Sequence, residues 1–432
     1  MLQRRVRLRS AISGMSRSAS LLVLGRLIST ALALVTAPIV ARALGPDGRG
    51  ETAAVIALSV ILPVLFSIGM PIEVRRISAL GQGEAALRTA RVWCVLAIPI
   101  CVGAAALLRA SLFRDFDRAA QITAFVAVCC VPISILWTLD VSYLVALEKY
   151  RSVLAVLLSQ PCTYLVSVIV ALSLVSLTPA AVIVCSVAGT VVAGAVSFTL
   201  TRVSIRGAYA RPVPMLRNSI RYAGSAVAEA AGNRVDQVVG LPVLGATEAG
   251  FYSVAATVAS VPIAFGQAVG ARHFPKVARA KIAGNILAAR ATAARRAVAT
   301  SASVLLPAIL AVFVGIPVIF GSEYSGAVIP AIVCTIGSSA MIVSYVLSLT
   351  LAAEGRGIRM AVTQAIALCV GMIGLLLLGP KFGAVGAAVA SALSSLALLI
   401  ILVAVSGLSF RDLRPRLSDF RHAFADMLSK GE

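Results

Sequence analysis

Apolar runs follow one another along almost the whole chain, broken only by short polar stretches. Each run is about the 20 residues that an α-helix needs to cross roughly 30 Å of hydrocarbon. The alternating segments of about ten residues that mark a transmembrane barrel are missing from the pattern. The runs predict twelve spans, near 21–43, 52–72, 92–109, 120–147, 153–175, 180–200, 222–243, 250–271, 298–320, 327–351, 360–379 and 384–406. No break between them is long enough for a soluble domain. The predicted fold is therefore an all-α integral membrane protein. It has a basic N-terminus (1–20), a six-helix lobe (21–200), a basic linker (201–221), a second six-helix lobe (222–406) and a basic tail (407–432).

One run breaks the apolar rule. The span at 222–243 holds Glu229, Asn233, Arg234, Asp236 and Gln237 within nine residues. Ionisable groups at bilayer depth are costly unless they face a bundle interior or a wet cavity. On a helix, Glu229, Asn233, Asp236 and Gln237 fall at i, i+4, i+7 and i+8, one continuous stripe. Arg234, about 100° round from Asn233, borders it. It also lies roughly 18 Å along the axis from the start of the span, too deep to snorkel. Two readings fit: the stripe lines a cavity that takes something polar through the membrane, or it is an interhelical network in which Arg234 pairs with an acid. Glu229 or Asp236 could couple transport to protons or sodium, because burial raises a carboxyl pKa.

Composition supports the membrane reading: 59% of residues are hydrophobic and 13% charged, with a mean hydropathy of +0.98. The net charge of +21 would suit a nucleic-acid partner, but its distribution argues against one. With the N-terminus inside, thirty of the 38 Lys and Arg side chains fall on the cytoplasmic side and six on the other, while Arg26 and Arg234 lie within spans. Such a bias fixes orientation and gives a grip on anionic headgroups of membrane lipids. The loops 201–221 and 272–297 are both basic, so an even number of spans must separate them, and 222–243 crosses despite its polar stripe. Both termini are then cytoplasmic. The N-terminal apolar run is too long for a signal peptide and is interrupted by Arg26, so it reads as a retained helix. The eight cysteines all fall in spans without metal-ligand spacing and read as small apolar filler. The sequence therefore suggests no metal site and no cofactor.

Other charges are ambiguous. Arg26 shares a face with Ser29 and Thr30, and either snorkels or meets substrate. Arg75 and Arg76 follow the second span as a positive-inside flank or as substrate cations. Trp137 and Tyr143 read as interfacial anchors, with Asp140 pairing to a nearby arginine. Prolines inside the spans, including Pro63, Pro99, Pro132, Pro262 and Pro307, are expected to kink their helices.

The two halves repeat. Leu44-Gly45-x4-Gly50 returns 200 positions later as Leu244-Gly245-x4-Gly250, and Leu144 to Lys149 (LVALEK) matches Leu351 to Arg356 (LAAEGR). Two units in one orientation imply parallel repeats, with a site where they meet.

The segments ARALGPDGRGETAAVIAL (41–58), GMPIEVRR (69–76), NRVDQVVGLPVLGATEAGFYSVAATV (233–258) and GPKFGAVGAAVASAL (379–393) resemble the polysaccharide-biosynthesis (Wzx-type) oligosaccharide flippases. These belong to the multidrug/oligosaccharidyl-lipid/polysaccharide (MOP) exporter superfamily. The resemblance implies two lobes around a central cavity in a bacterial inner membrane. It also implies alternating access that moves a polyprenyl-pyrophosphate-linked oligosaccharide to the outer leaflet, as in exopolysaccharide synthesis, with a glycan polymerase and glycosyltransferases as partners. It maps substrate cations onto Arg26, Arg75 or Arg76, and Arg234. An antiporter of cationic drugs wants buried carboxylates in the first lobe, where the first span offers only Arg26. A membrane-bound glycan polymerase or transferase wants catalytic groups on a large outer loop. The predicted outer loops are short, with acids only at Asp47, Glu51, Asp115, Asp117, Glu248 and Glu323, and show no nucleophile–His pair.

Overall fold

A computed structural model describes residues 2–174, 176–282, 285–353 and 356–420. Among these residues there is no strand. The elements are α1 (Leu2–Ser67), α2 (Met70–Ala79), α3 (Gly83–Ala110), α4 (Arg118–Cys129), α5 (Val131–Ala146), α6 (Tyr150–Leu174), α7 (Pro179–Thr201), α8 (Pro212–Leu244), α9 (Ala246–Ile282), α10 (Ile286–Gly315), α11 (Val328–Ala353) and α12 (Gly357–Val405). A π-turn (Ile316–Phe320) and a 3₁₀ turn (Ser322–Ala327) join α10 to α11.

At 1.5 Å per residue, an unbroken α1 would be about three times as long as the hydrocarbon is thick. It is broken at Gly45 (φ 67), as α12 is at Gly383 (φ 55). Both angles lie in the left-handed region that glycine enters without a Cβ penalty. The predicted span 120–147 is likewise split, into α4 and α5, with Pro132 in the first turn of α5. There the missing N–H costs no helical bond. Pro99 and Pro307, by contrast, sit inside continuous helices. Nine helical stretches among the described residues are long and apolar enough to span a membrane, with α1 and α12 each counted once. α8 is not one of them, as its polar stripe would predict.

Packing is inverted relative to a water-soluble protein. α3 buries Ala86, Ala90, Cys94, Ala97, Cys101 and Ala105 and exposes Val95, Leu96, Ile98, Ile100 and Leu107. Small residues let helix backbones approach, and large aliphatics face outward to lipid tails that are as apolar as themselves. The chain divides into two compact units. The first comprises Met1–Thr36 and Ser59–Ala226, the second Ala37–Leu58 and Val227–Glu432.

In the first unit, Leu144, Val153 and Val156 form a core where α5 meets α6. In the second, an alanine-rich core from α1, α9, α11 and α12 closes round Tyr252 and Tyr324, whose hydroxyl donates to the Ala41 carbonyl (2.9 Å). This unit also brings together the two copies of the glycine motif. Gly45 and Gly245 (φ 83) both take the left-handed conformation. A Cβ on Gly50 would strike the Ala246 carbonyl, and one on Gly250 would strike that of Pro46. Each turn thus packs on its counterpart, and the Thr247 hydroxyl hydrogen-bonds the Asp47 carboxylate between them. The second repeated motif closes its two helices alike. The Lys149 N–H donates to the Leu144 carbonyl (3.0 Å) and the Arg356 N–H to that of Leu351 (3.1 Å), the six-to-one bond of a Schellman cap.

Candidate functional site

The polar stripe sits on α8, the helix whose sequence is least apolar for its place in the fold. Arg234 is exposed and donates through Nη1 to Gln237 Oε1 at 3.3 Å, one turn further on. Gln237 is itself nearly buried. Asp236 accepts from the Gln237 backbone N–H (2.9 Å) and from the Tyr252 hydroxyl of α9. Beside them lies a cavity of about 40 Å³, lined by Asp236, Tyr252, Ser391 and Ser394 among others. That is room for about one water or a small ion.

Among the described residues no ion pair joins Arg234 to an acid. Its charged neighbours are Asp236 and Arg49. Arg49 reads from sequence as a cation of an outer turn, yet it is buried to 9% exposure. Its position after the glycine break of α1, where the chain turns back, is the signal that could have flagged it. The side chains of Glu229 and Asn233, on the same helix, lie outside the described residues, as does that of Arg26 on α1.

In the first unit, Arg75 is exposed on α2. Arg76 forms a two-pronged pair with the fully buried Glu73, at 2.7 Å from Nε and 2.6 Å from Nη2. Asn218 Nδ2 donates to the same carboxylate at 3.2 Å. The hydrogen bond from Arg76 holds the Glu73 carboxyl below the usual carboxylate range, against the opposing cost of burial. Asp140 pairs with an arginine, as expected, and the arginine is Arg91. Nη2 and Nε of Arg91 lie 2.8 and 3.2 Å from Oδ1, and the Ser197 hydroxyl donates to Oδ2 at 2.9 Å.

Lipid-facing aliphatics, helices broken at glycines and nine helical stretches long and apolar enough to cross a membrane among the described residues mark a multi-pass membrane protein. Similar solved structures show the fold to be that of the MOP exporters. The lipid II flippase MurJ in an inward closed conformation aligns over 93% of this chain and 90% of its own (TM-score 0.72, 13% identity). An inward-facing multidrug resistance MATE transporter aligns over 94% and 99% (TM-score 0.68, 10% identity). The Vibrio cholerae MATE transporter VcmN aligns over 95% and 99% (TM-score 0.58, 13% identity). Comparison with curated protein sequences finds no significant match. The family model of the polysaccharide biosynthesis proteins matches residues 15–279, and the chain belongs to that family.

Proposed function

We propose that the protein is a flippase for polyprenyl-pyrophosphate-linked oligosaccharide. It moves this lipid from the cytoplasmic to the outer leaflet of a bacterial inner membrane by alternating access, for cell-surface polysaccharide synthesis. In this reading twelve spans form lobes at 21–200 and 222–406, with both termini cytoplasmic. A glycan polymerase and glycosyltransferases act before and after it.

The observation that carries the reading is Arg234: an exposed guanidinium within a predicted span, bonded among the described residues only to an amide, with buried Arg49 as a cationic neighbour. A pyrophosphate needs such groups, because the planar fork of arginine binds phosphate oxygens in pairs and keeps its charge when desolvated. Arg26, Arg75 and Arg76 supply further cations on the family pattern. Asn233, Gln237 and Glu229 offer hydrogen bonds to sugar hydroxyls. Asp236, beside a one-water cavity and a tyrosine hydroxyl, is the group that takes up a proton or sodium ion as the cycle turns. A cation exporter wants an unpaired buried acid, whereas Asp140 and Glu73, the fully buried acids described in the first unit, are both paired with arginine.

The test is complementation of a knockout strain combined with leaflet labelling of the lipid-linked glycan. The wild type restores outward delivery, and Arg234→Ala fails at unchanged membrane abundance. Full complementation by Arg234→Ala would discard the site. Normal outward delivery in the knockout would discard the function.

A further inference from the structure

The first unit contains a second, larger cavity, of which the transport reading uses only Arg76. It measures about 920 Å³ and lies where the end of α2 and the start of α3 face the α7–α8 linker. Two of its lining carboxylates are spent. Glu73 is paired with Arg76, and Glu84 with Arg88 (2.7 Å). Arg88 is spent as well, because its other nitrogens donate to the Ser204 and Ala208 carbonyls of the linker at 2.8 and 3.1 Å. The remaining charge is Arg211, exposed and without a partner among the described residues. The Nη1 of Arg76 is equally uncommitted there. The cavity therefore attracts anions.

Its wall also carries two hydroxyls. Tyr143 is 6% exposed and Ser78 is 5% exposed. Both line the cavity, and the buried Ser78 hydroxyl has no hydrogen-bond partner among the described residues. A buried hydroxyl without a partner costs the protein its desolvation free energy, and a bound acceptor would recover it. Around the mouth, Leu80, Tyr209 and Val213 are exposed apolar side chains, interleaved with Arg206, Arg211 and Arg217. Apolar bodies among basic heads mark a surface lying at headgroup level.

We propose that this cavity binds a phosphate-bearing ligand, with Arg211 and the free edge of Arg76 on the phosphate and the Tyr143 and Ser78 hydroxyls donating to its oxygens. The ligand is either the headgroup of an anionic phospholipid or a soluble phosphate. The site is separate from the α8 stripe and shares only Arg76 with the transport reading, so its test rests on Arg211 and Tyr143, which that reading does not use.

Two probes distinguish the sources. The full-length protein is titrated with phosphatidylglycerol against phosphatidylcholine and read by native mass spectrometry. It is then titrated in detergent with inorganic pyrophosphate and read by calorimetry. Arg211→Ala removes a side chain that holds nothing else, and Tyr143→Phe removes only a hydroxyl, so both variants keep the wild-type melting temperature. Arg211→Ala weakens binding by about tenfold or more and Tyr143→Phe by a few-fold, the ordinary scale for charged and neutral hydrogen bonds. Selective retention of phosphatidylglycerol that both variants reduce identifies the lipid. Pyrophosphate binding that both variants reduce identifies the soluble ligand. If neither probe binds, or if the variants bind as the wild type does, the proposal is overturned. Export by the variants is a separate readout, so failure here leaves the flippase reading standing.

Discussion

Asp140 on α5 in the first unit and Asp236 on α8 in the second are treated by the protein in opposite ways. Asp140 is fully buried and held in a closed circuit. Arg91 binds it, and the same guanidinium also donates to Thr201 (2.7 Å) and to the Val203 carbonyl (3.1 Å) while lying over the Phe198 ring. One ion pair thereby ties α3, α5, α7 and the start of the linker together. Asp236 has an arginine two residues away and makes no ion pair with it. It takes a tyrosine hydroxyl and a backbone N–H, and Arg234 turns to an amide. Two residues along a helix is about 200° of rotation, so the two charges leave on nearly opposite faces. The same residue types serve as a brace where packing pairs them, and take other partners where helix geometry keeps them apart.

Breaking the brace has the largest effect. Arg91→Ala strands a buried carboxylate, and removing one partner of such a pair costs about 3–5 kcal/mol. Thermal unfolding in detergent is expected to show a large drop in Tm, with low membrane abundance. Replacing both partners, as Arg91→Met with Asp140→Leu, should recover most of the loss, because apolar isosteres of a buried pair are often neutral. If the double variant is as unstable as the single, the brace reading fails.

Arg234→Ala should do the reverse. With a single amide partner among the described residues, it should contribute much less to folding than Arg91 does. Export of glycan should fall about 10- to 100-fold, the scale of a lost charge-assisted bond. A variant that is unstable but still transports would move Arg234 to the structural side of the comparison. Tyr252→Phe comes next. It withdraws the hydroxyl from Asp236 and should cost about 1–3 kcal/mol, measured by the same melting assay. If Asp236 takes up a proton or sodium ion, the variant should also shift the pH or sodium dependence of export.

Much of this was legible in the sequence, for physical reasons that can be traced residue by residue. Apolar runs specify helices because the bilayer leaves the backbone no other partner. The glycine motifs could be paired because a left-handed turn admits few other residues, and Gly45 and Gly245 both take that turn. The stripe on α8 followed from helical spacing alone. Which arginine would meet Asp140 did not, since Arg91 lies 49 positions away and only packing brings it there. Nor did the burial of Arg49, because an arginine between two spans looks the same in sequence whether the turn is wet or packed. The cavity beside Tyr143 has no linear signature at all. Its walls come from three segments, and what marks it is a buried hydroxyl, that of Ser78, without a partner among the described residues.

The smallest effect belongs to the Arg76–Glu73 pair, which stands between the two extremes. Glu73 is buried like Asp140, but Arg76 is 45% exposed, so water and salt screen much of the attraction and the pair contributes about 0–1 kcal/mol. Its pH dependence has a definite sign. Because the folded state holds the Glu73 carboxyl below its ordinary value, the contribution is fully present at neutral pH. It fades as pH falls through the usual carboxylate range toward the lowered value. Arg76→Gln should therefore lower Tm slightly at pH 7 and have a still smaller effect at strongly acidic pH. High salt should shrink the difference further. A loss as large as that of Arg91→Ala, unaffected by salt, would show that this pair braces the fold as Asp140 does, and the contrast between paired and available charge would need to be redrawn.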